Sequence, residues 1–273
     1  MIRPTHCLAS GSIYCNLGTG RDAIQKLRLE SHGKADRMAK PSFKTTLTQA
    51  APQTPGTMTF RFERPPGFEY VAGQWFVLTV RSPEGPLTSH FTYSSSPTEP
   101  FLEFATRMSG SAFKNALLAL APGDQVEMEG PHGSFVLRDE SVRMACLIGG
   151  IGVTPLRSWL RYLDDTGGSR DMVVFYGSMT EDGILFRDEL EAIASRIPGI
   201  RLVHVLANAG EGWTGHRGFI NAQTIRAELA DPLVWTYFVC GPPPMIGAMR
   251  AVLTELEIPR PQLVLESFEG YQS

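Results

Sequence analysis

From Phe43 to Leu137 the apolar positions come in short runs that alternate with polar ones and are cut by Pro and Gly. Alternation with period two, bounded by turn residues, is the pattern of a half-buried strand. It predicts strands at 43–50, 57–64, 74–81, 90–95, 101–107 and 125–129. Short strands so closely spaced argue for a small antiparallel barrel or sandwich. One stretch breaks the rhythm: Phe113, Ala116, Leu117 and Leu120 recur at helical spacing, which predicts a helix over 111–120 with Ser111 as its N-cap.

After Asp139 the pattern changes to apolar runs at 143–148, 172–176, 202–206 and 235–240, separated by helical segments at about 154–165, 185–195, 220–229 and 243–256. A last strand is expected at 262–266. Strand and helix in alternation mean βαβ units and a parallel sheet covered on both faces. The expected organisation is two-domain: an antiparallel β-barrel over 41–139, then an α/β parallel-sheet domain over 140–273. Residues 1–40 are rich in Gly, Ser and charged side chains and show no sustained apolar period, so they read as a disordered or loosely attached extension.

With 42% hydrophobic and 19% charged residues, the 273-residue chain has apolar material for two cores. The net charge of −3, without a long run of either sign, argues against nucleic-acid binding through a basic face. Cys7, Cys15, Cys146 and Cys240 show neither a C-x-x-C pair nor the C-x4-C-x2-C run of a plant-type iron–sulfur centre, so no metal site is expected. Cys146 and Cys240 sit in apolar, strand-like runs, which fits reduced thiols and a reducing compartment. No apolar stretch approaches the roughly 20 residues of a membrane span, and the N-terminus does not read as a secretory signal. A soluble, cytoplasmic protein is expected.

Two loops carry the strongest chemical signal. Gly149-Gly150-Ile151-Gly152-Val153-Thr154-Pro155 follows an apolar strand and opens a helix. Glycines there let the backbone turn tightly and approach a pyrophosphate, and the helix N-terminus presents free N–H groups to the anion. Pro155 is tolerated in the first helical turn, where its missing N–H has no partner to lose. Val239-Cys240-Gly241-Pro242-Pro243-Pro244-Met245 follows the fourth strand of the parallel sheet and again opens a helix. Ligands of open α/β sheets bind at the carboxyl ends of the strands, so both loops are expected to border one crevice.

In its G-x-G-x-x-P form, after a β-barrel, the first loop resembles the nucleotide site of the ferredoxin–NADP reductase superfamily. The C-G-P-P-x-M of the second is similar to that family's nicotinamide loop, which implies that Cys240 lies beside the reacting carbon of the nicotinamide. In the barrel, Ser89-His90-Phe91-Thr92-Tyr93-Ser94-Ser95-Ser96-Pro97 resembles the flavin motif R-x-Y/F-S/T-x-x-S-x-P. The resemblance puts Phe91 at the aromatic position near the flavin, Thr92 where a hydroxyl meets flavin N5, and Tyr93 within the motif. It departs at Ser89, where the family carries an arginine for the flavin pyrophosphate. In the segment 107–114, Arg107, Gly110, Ser111 and Lys114 fit the part that cradles the same pyrophosphate. Gly130-Pro131-His132-Gly133-Ser134-Phe135 looks like the turn closing the family's barrel, and the run from Glu266 through Phe268 to Tyr271 like its carboxylate-and-aromatic ending beside the flavin.

The resemblance implies an FAD-dependent NAD(P)H oxidoreductase in which hydride passes from nicotinamide C4 to flavin N5. Thr92, Cys240 and Glu266 are the implied reacting-centre residues. Gly150, Gly152, Thr154, Pro155, Gly241, Pro242 and Met245 would hold the nucleotide. Met179 stands where NADPH-selective relatives carry an arginine, so NADH is favoured, with Arg187 and Arg217 the cations that can still reach a 2′-phosphate. The electron acceptor stays open among ferredoxin, flavodoxin, a haem protein, an oxygenase and a small oxidant. Three alternatives stand beside this reading: a flavin reductase using flavin as a diffusing substrate, an electron-transfer subunit of a partner enzyme, and a degenerate nucleotide-binding regulatory module, against which the intact Thr92, Cys240 and both glycine loops argue.

Overall fold

The computed structural model describes residues 41–137 and 142–267; the segment 1–40 and Phe268 lie outside them. The first half of the described chain forms strands β1 (Ser42–Thr54), β2 (Thr57–Glu63), β3 (Trp75–Ser82), β4 (Gly85–Thr92), β5 (Phe101–Arg107) and β6 (Gln125–His132), with helix α1 (Ala112–Leu118) between β5 and β6. All pairs are antiparallel, in the order β4-β3-β6-β1-β2-β5. Register shifts at Leu47/Gln49 and Pro52/Thr54 bend β1, whose first half pairs with β6 and whose second half pairs with β2. The concave side holds Leu47, Phe60, Phe62, Phe76, Leu78 and Phe104, all at most 1% exposed. Strand β4 runs earlier than the pattern suggested, over Gly85–Thr92 rather than 90–95. A tight turn after Ser82 starts it, with Gly85 at φ +123. Residues 94 and 95 then leave the ladder to bond to Glu103 O at 2.7 and 3.3 Å. Those two bonds bring the edge strands together only past Thr92, and no ladder joins β4 to β5 upstream of it among the described residues.

The second half alternates β7 (Met144–Gly149), α2 (Val153–Thr166), β8 (Met172–Ser178), α3 (Arg187–Arg196), β9 (Ile200–Leu206), the two-residue β10 (His216–Arg217), α4 (Ala222–Glu228), β11 (Thr236–Gly241), α5 (Pro243–Glu255) and β12 (Leu263–Ser267). The sheet is wholly parallel, ordered β10-β9-β8-β7-β11-β12. Successive side chains point to opposite faces. Cys146, Ile148, Val174, Tyr176, Phe238 and Cys240 therefore pack with Leu156, Trp159 and Leu160 of α2 on one face. Ala145, Leu147, Val173, Phe175 and Val239 meet Ile225 of α4 and Ile246, Met249 and Leu253 of α5 on the other. Burial on both faces is why these strands read as continuous apolar runs. Ala72, Ala105 and Phe135, from the barrel half, belong to the first of these clusters, so the two domains share a core there.

Candidate functional site

Because β4 and β5 are not laddered above Thr92, a groove opens between them. It is lined by Thr88, Ser89, His90, Phe91 and Thr92 on one side and by Ala105, Thr106, Ser109, Ser111 and Lys114 on the other. Ile151 and Thr154, from the first glycine loop, complete it. Strand edges carry unpaired N–H and C=O groups, so a planar, polar-edged ligand can take the place of the missing ladder.

Thr92 is 3% exposed, and its Oγ1 is buried with no hydrogen-bond partner. A buried hydroxyl is normally bonded, and one left open in a groove marks a place where a ligand atom belongs. Phe91 stacks on Phe104 with ring centroids 4.3 Å apart, which holds the strand end rigid. Lys114 Nζ lies 4.4 Å from the Phe91 ring centroid and donates to Thr106 Oγ1 at 2.5 Å. No carboxylate faces this ammonium among the described residues, and burial lowers its pKa to about 8. Ser111 caps α1 by accepting from Lys114 N at 3.4 Å. The hydroxyls, the unpaired Thr92 oxygen and the uncompensated cation fit a flavin with its phosphate chain.

The first glycine loop is a single 3-10 turn, Gly150–Gly152, running directly into α2, with Gly150 at φ +50. The second loop lies against it. A Cβ on Gly152 would stand 2.4 Å from Cys240 O, and one on Gly149 would meet Met245 Sδ. Gly152 thus permits the close approach of the two loops, and Met245 fills the space between them. Tyr176, wholly buried, ties the turn from behind: its hydroxyl donates to Gly150 O at 3.4 Å and accepts from Leu185 N at 3.1 Å. Thr154 turns its own hydroxyl to Ile151 O at 3.2 Å, and Pro155 is buried in the first turn of α2. Gly241 and Pro242 lead into α5, which opens with Pro at N1.

Cys240 is fully buried and stands opposite Glu266 in the β11–β12 ladder. Burial, then Glu266, then Cys146 push its thiol pKa up, so it is an uncharged thiol at neutral pH. Desolvation likewise raises Glu266 to about 7. A carboxyl poised there can hold or release a proton under ordinary conditions.

Not every expected residue reaches the groove. Tyr93 is wholly buried among Tyr70, Phe76 and Phe68 in the barrel core, because residue 93 points inward one step past Thr92. Arg107 ends β5 with an exposed side chain, and Gly110 forms a left-handed turn, φ +75, in open space. Phe268 lies outside the described residues. Sequence reasoning missed Thr106 and Tyr176, and also Arg157, Ser158 and Trp159 of α2. The last three carry no sign in the sequence: the fold buries all residues from 153 to 160, and an arginine buried in such a helix has to meet a carboxylate. Among the described residues no group of side chains suits a metal, and no helix is long and apolar enough to cross a membrane.

Comparison with known proteins agrees with this geometry. The Oxidoreductase NAD-binding domain family matches residues 146–251. "Ferredoxin--NADP reductase B" of Sorangium cellulosum is 33% identical over 239 residues, covering 83% of this chain and 98% of that protein. The "glycine betaine monooxygenase reductase subunit" of Pseudomonas aeruginosa is 32% identical over 204 residues; the match covers 72% of this chain and just 56% of that subunit. The crystal structure of an Amycolatopsis cytochrome P450 reductase superposes with a TM-score of 0.74 at 23% identity, over 85% of this chain and 72% of the other.

Proposed function

The chain belongs to the ferredoxin–NADP reductase superfamily, and from that premise we propose that it is an FAD-dependent NADH oxidoreductase whose flavin occupies the β4–β5 groove. The observation that carries the reading is the buried, unpartnered Thr92 Oγ1 in a groove shared with the first glycine loop. When bound, FAD supplies the two-electron chemistry, accepting hydride from the nicotinamide and releasing electrons to an acceptor. In this reading residues 41–139 hold the flavin and 140–273 the nucleotide. Thr92 donates its hydrogen bond at the flavin edge, and Phe91 backs it. Lys114 meets the phosphate chain in place of the arginine that Ser89 replaces. The loops around Gly152 and Cys240 bind and orient the nucleotide, the neutral Cys240 thiol excluding water beside it. Glu266 supplies a carboxyl able to exchange a proton near neutrality.

Preference for NADH is supported by what the nearby cations already do. Arg187 bonds Glu181 at 2.7 Å and Glu191 at 3.0 Å. Arg217 donates to the carbonyls of Ala209, Gly210, Glu211 and Trp213. Met179, 51% exposed, brings no charge. A 2′-phosphate would have to strip one arginine of its partners. The acceptor is proposed to be a protein of an oxygenase system, by analogy with the relatives named as monooxygenase reductase subunits. Buried, unpaired Cys146 and Cys240 support a cytoplasmic setting.

Anaerobic titration tests the reading. Purified protein loaded with FAD should bleach on NADH, with kcat/KM for NADH at least tenfold above that for NADPH; no saturable flavin binding at micromolar protein would refute it. The Ser89 departure also supports a second reading, a reductase that releases flavin as a product. Retention of flavin through gel filtration separates the two.

A further inference from the structure

Helix α2 does two jobs within two turns. Its first turn carries Thr154, which lines the groove from the nucleotide side. Its next turn leaves the α/β domain altogether. Arg157, 3% exposed, donates through one terminal nitrogen to Ser94 O at 2.8 Å and to Glu99 Oε2 at 3.0 Å. Its other terminal nitrogen reaches Glu99 Oε1 at 3.2 Å, and its Nε reaches Glu189 Oε2, on α3, at 2.9 Å. Glu103 Oε1 stands 3.7 Å away and accepts from Ser94 Oγ, while Arg61 holds the same carboxylate by its Oε2. Ser158 Oγ donates to Ser95 O at 2.6 Å, and Trp159 Nε1 to Ala72 O at 3.0 Å. Gly73 makes room for that tryptophan, since a Cβ there would lie 2.4 Å from Trp159 Nε1. Phe186 is held at φ +59 with its ring 5.1 Å from the guanidinium. A non-glycine residue keeps such a conformation only where its surroundings impose it.

The carbonyl that Arg157 grips belongs to Ser94, two positions past Thr92. The nucleotide loop ends one helical turn before Arg157, a rise of about 5 Å. The guanidinium therefore sits on a short route between the hydroxyl at the flavin edge and the loop that would hold the nicotinamide nucleotide. A planar fork with donors in fixed directions suits such a junction, because it sets angles as well as charge. We propose that Arg157 is a positioning residue. It fixes the separation of the β4 strand end from the first glycine loop, and through that separation it governs the rate of flavin reduction rather than the affinity for either ligand. The inference rests on the proposed function. Transfer between stacked rings needs reacting atoms about 3–3.5 Å apart, and a misplacement of about 1 Å can cost on the order of a hundredfold in rate.

The test uses Arg157→Lys, which keeps a cation among Glu99, Glu103 and Glu189 but cannot reach Ser94 O, Glu99 and Glu189 together. Leu163→Ala serves as control: it lies on the same helix, buried away from the barrel contacts of Arg157. Stopped-flow reduction by NADH gives the limiting rate and the nucleotide dissociation constant separately. Flavin titration of the apo-protein, its melting temperature and the long-wavelength charge-transfer absorbance complete the readout. Arg157→Lys should lower the limiting rate at least tenfold and weaken the charge-transfer band, with both dissociation constants within threefold of wild type. Leu163→Ala should lose at least as much thermal stability while keeping its rate within twofold. A wild-type rate in Arg157→Lys, a fall in affinity matching the fall in rate, or an equal fall in Leu163→Ala overturns the proposal. Should Arg157→Lys not fold, Glu189→Ala removes one anchor of the fork at a partly exposed carboxylate; a threefold or greater rate loss supports the proposal, and an unchanged rate overturns it. Wild-type protein that binds no flavin, or is reduced by neither nucleotide, refutes the functional reading itself.

Discussion

Replacing Lys114 by Met should move apo-protein stability and flavin affinity in opposite directions. Lys114 Nζ is buried beside Phe91 with a single hydrogen bond, to Thr106 Oγ1, and no carboxylate. Its pKa falls from 10.5 to about 8 through desolvation, a cost of about 3 kcal/mol for keeping the charge in the apo-protein. The sign follows from linkage. A lysine whose folded pKa is depressed destabilises the fold fully below about pH 8, and the cost fades as pH rises through the unfolded value of 10.5. Met keeps most of the stem's packing and removes the charge. It gives up a hydrogen bond and a ring contact, together about 1–2 kcal/mol. The variant's apo form should therefore be more stable at pH 7 by about 1–2 kcal/mol, or roughly 2–6 °C in Tm for a chain of this size, and should lose that advantage near pH 10.5. Flavin binding should suffer instead. A charge-assisted hydrogen bond to phosphate contributes about 1.5–3 kcal/mol, so the FAD dissociation constant should rise about 10- to 100-fold. Adding Ser89→Arg to the variant should recover much of this, in a salt-sensitive way. Calorimetry of the apo-protein at two pH values and fluorescence titration with FAD measure both effects. An apo-protein that is less stable at pH 7, with an FAD constant within twofold of wild type, would show Lys114 to be an ordinary structural residue.

Three further outcomes follow from the site. Thr92→Val removes a hydroxyl that has no partner in the apo-protein, so thermal stability should hold or rise slightly while reduction by NADH slows about tenfold; parallel losses of both would place Thr92 in the fold instead. Glu266→Gln should abolish a pH inflection near 7 in flavin reduction. Because the carboxyl's folded pKa is raised to about 7 from 4.5, the fold loses stability as pH rises from 4.5 to about 7 and carries the full cost above that, so the variant should exceed wild type in stability at pH 8 by on the order of 2–3 kcal/mol and match it at pH 4. Gly152→Ala puts a methyl 2.4 Å from Cys240 O; forcing the two loops apart should cost about 1–3 kcal/mol of stability and raise the NADH constant about tenfold, and unaltered binding would separate the loops' packing from nucleotide recognition.

Local pattern carried a great deal here. Alternation with period two located the barrel strands other than β4, and continuous apolar runs located the parallel ones other than the two-residue β10, because each strand's burial is written in its own side chains. Glycines followed by a helix start marked the crevice, since only small residues allow the backbone approach later seen between Gly152 and Cys240 O. Pairing decided what pattern leaves open. The groove exists because β4 and β5 are opposite edges of the sheet that bond to each other only past Thr92, a fact about how the strands order and not about either segment alone. Inward or outward direction is decided the same way: Thr92 and Tyr93 are neighbours in one motif, yet one opens on the groove and the other fills the core. Arg157 is the sharpest case. In the sequence it is one more arginine on a helix; in the fold Glu99, Glu103 and Glu189 converge on it from two domains. Charge and periodicity are properties of a residue and its near neighbours, whereas desolvation and hydrogen-bond partnership depend on which distant segments the fold packs against it, so the tertiary structure alone assigned Arg157 and Lys114 their surroundings.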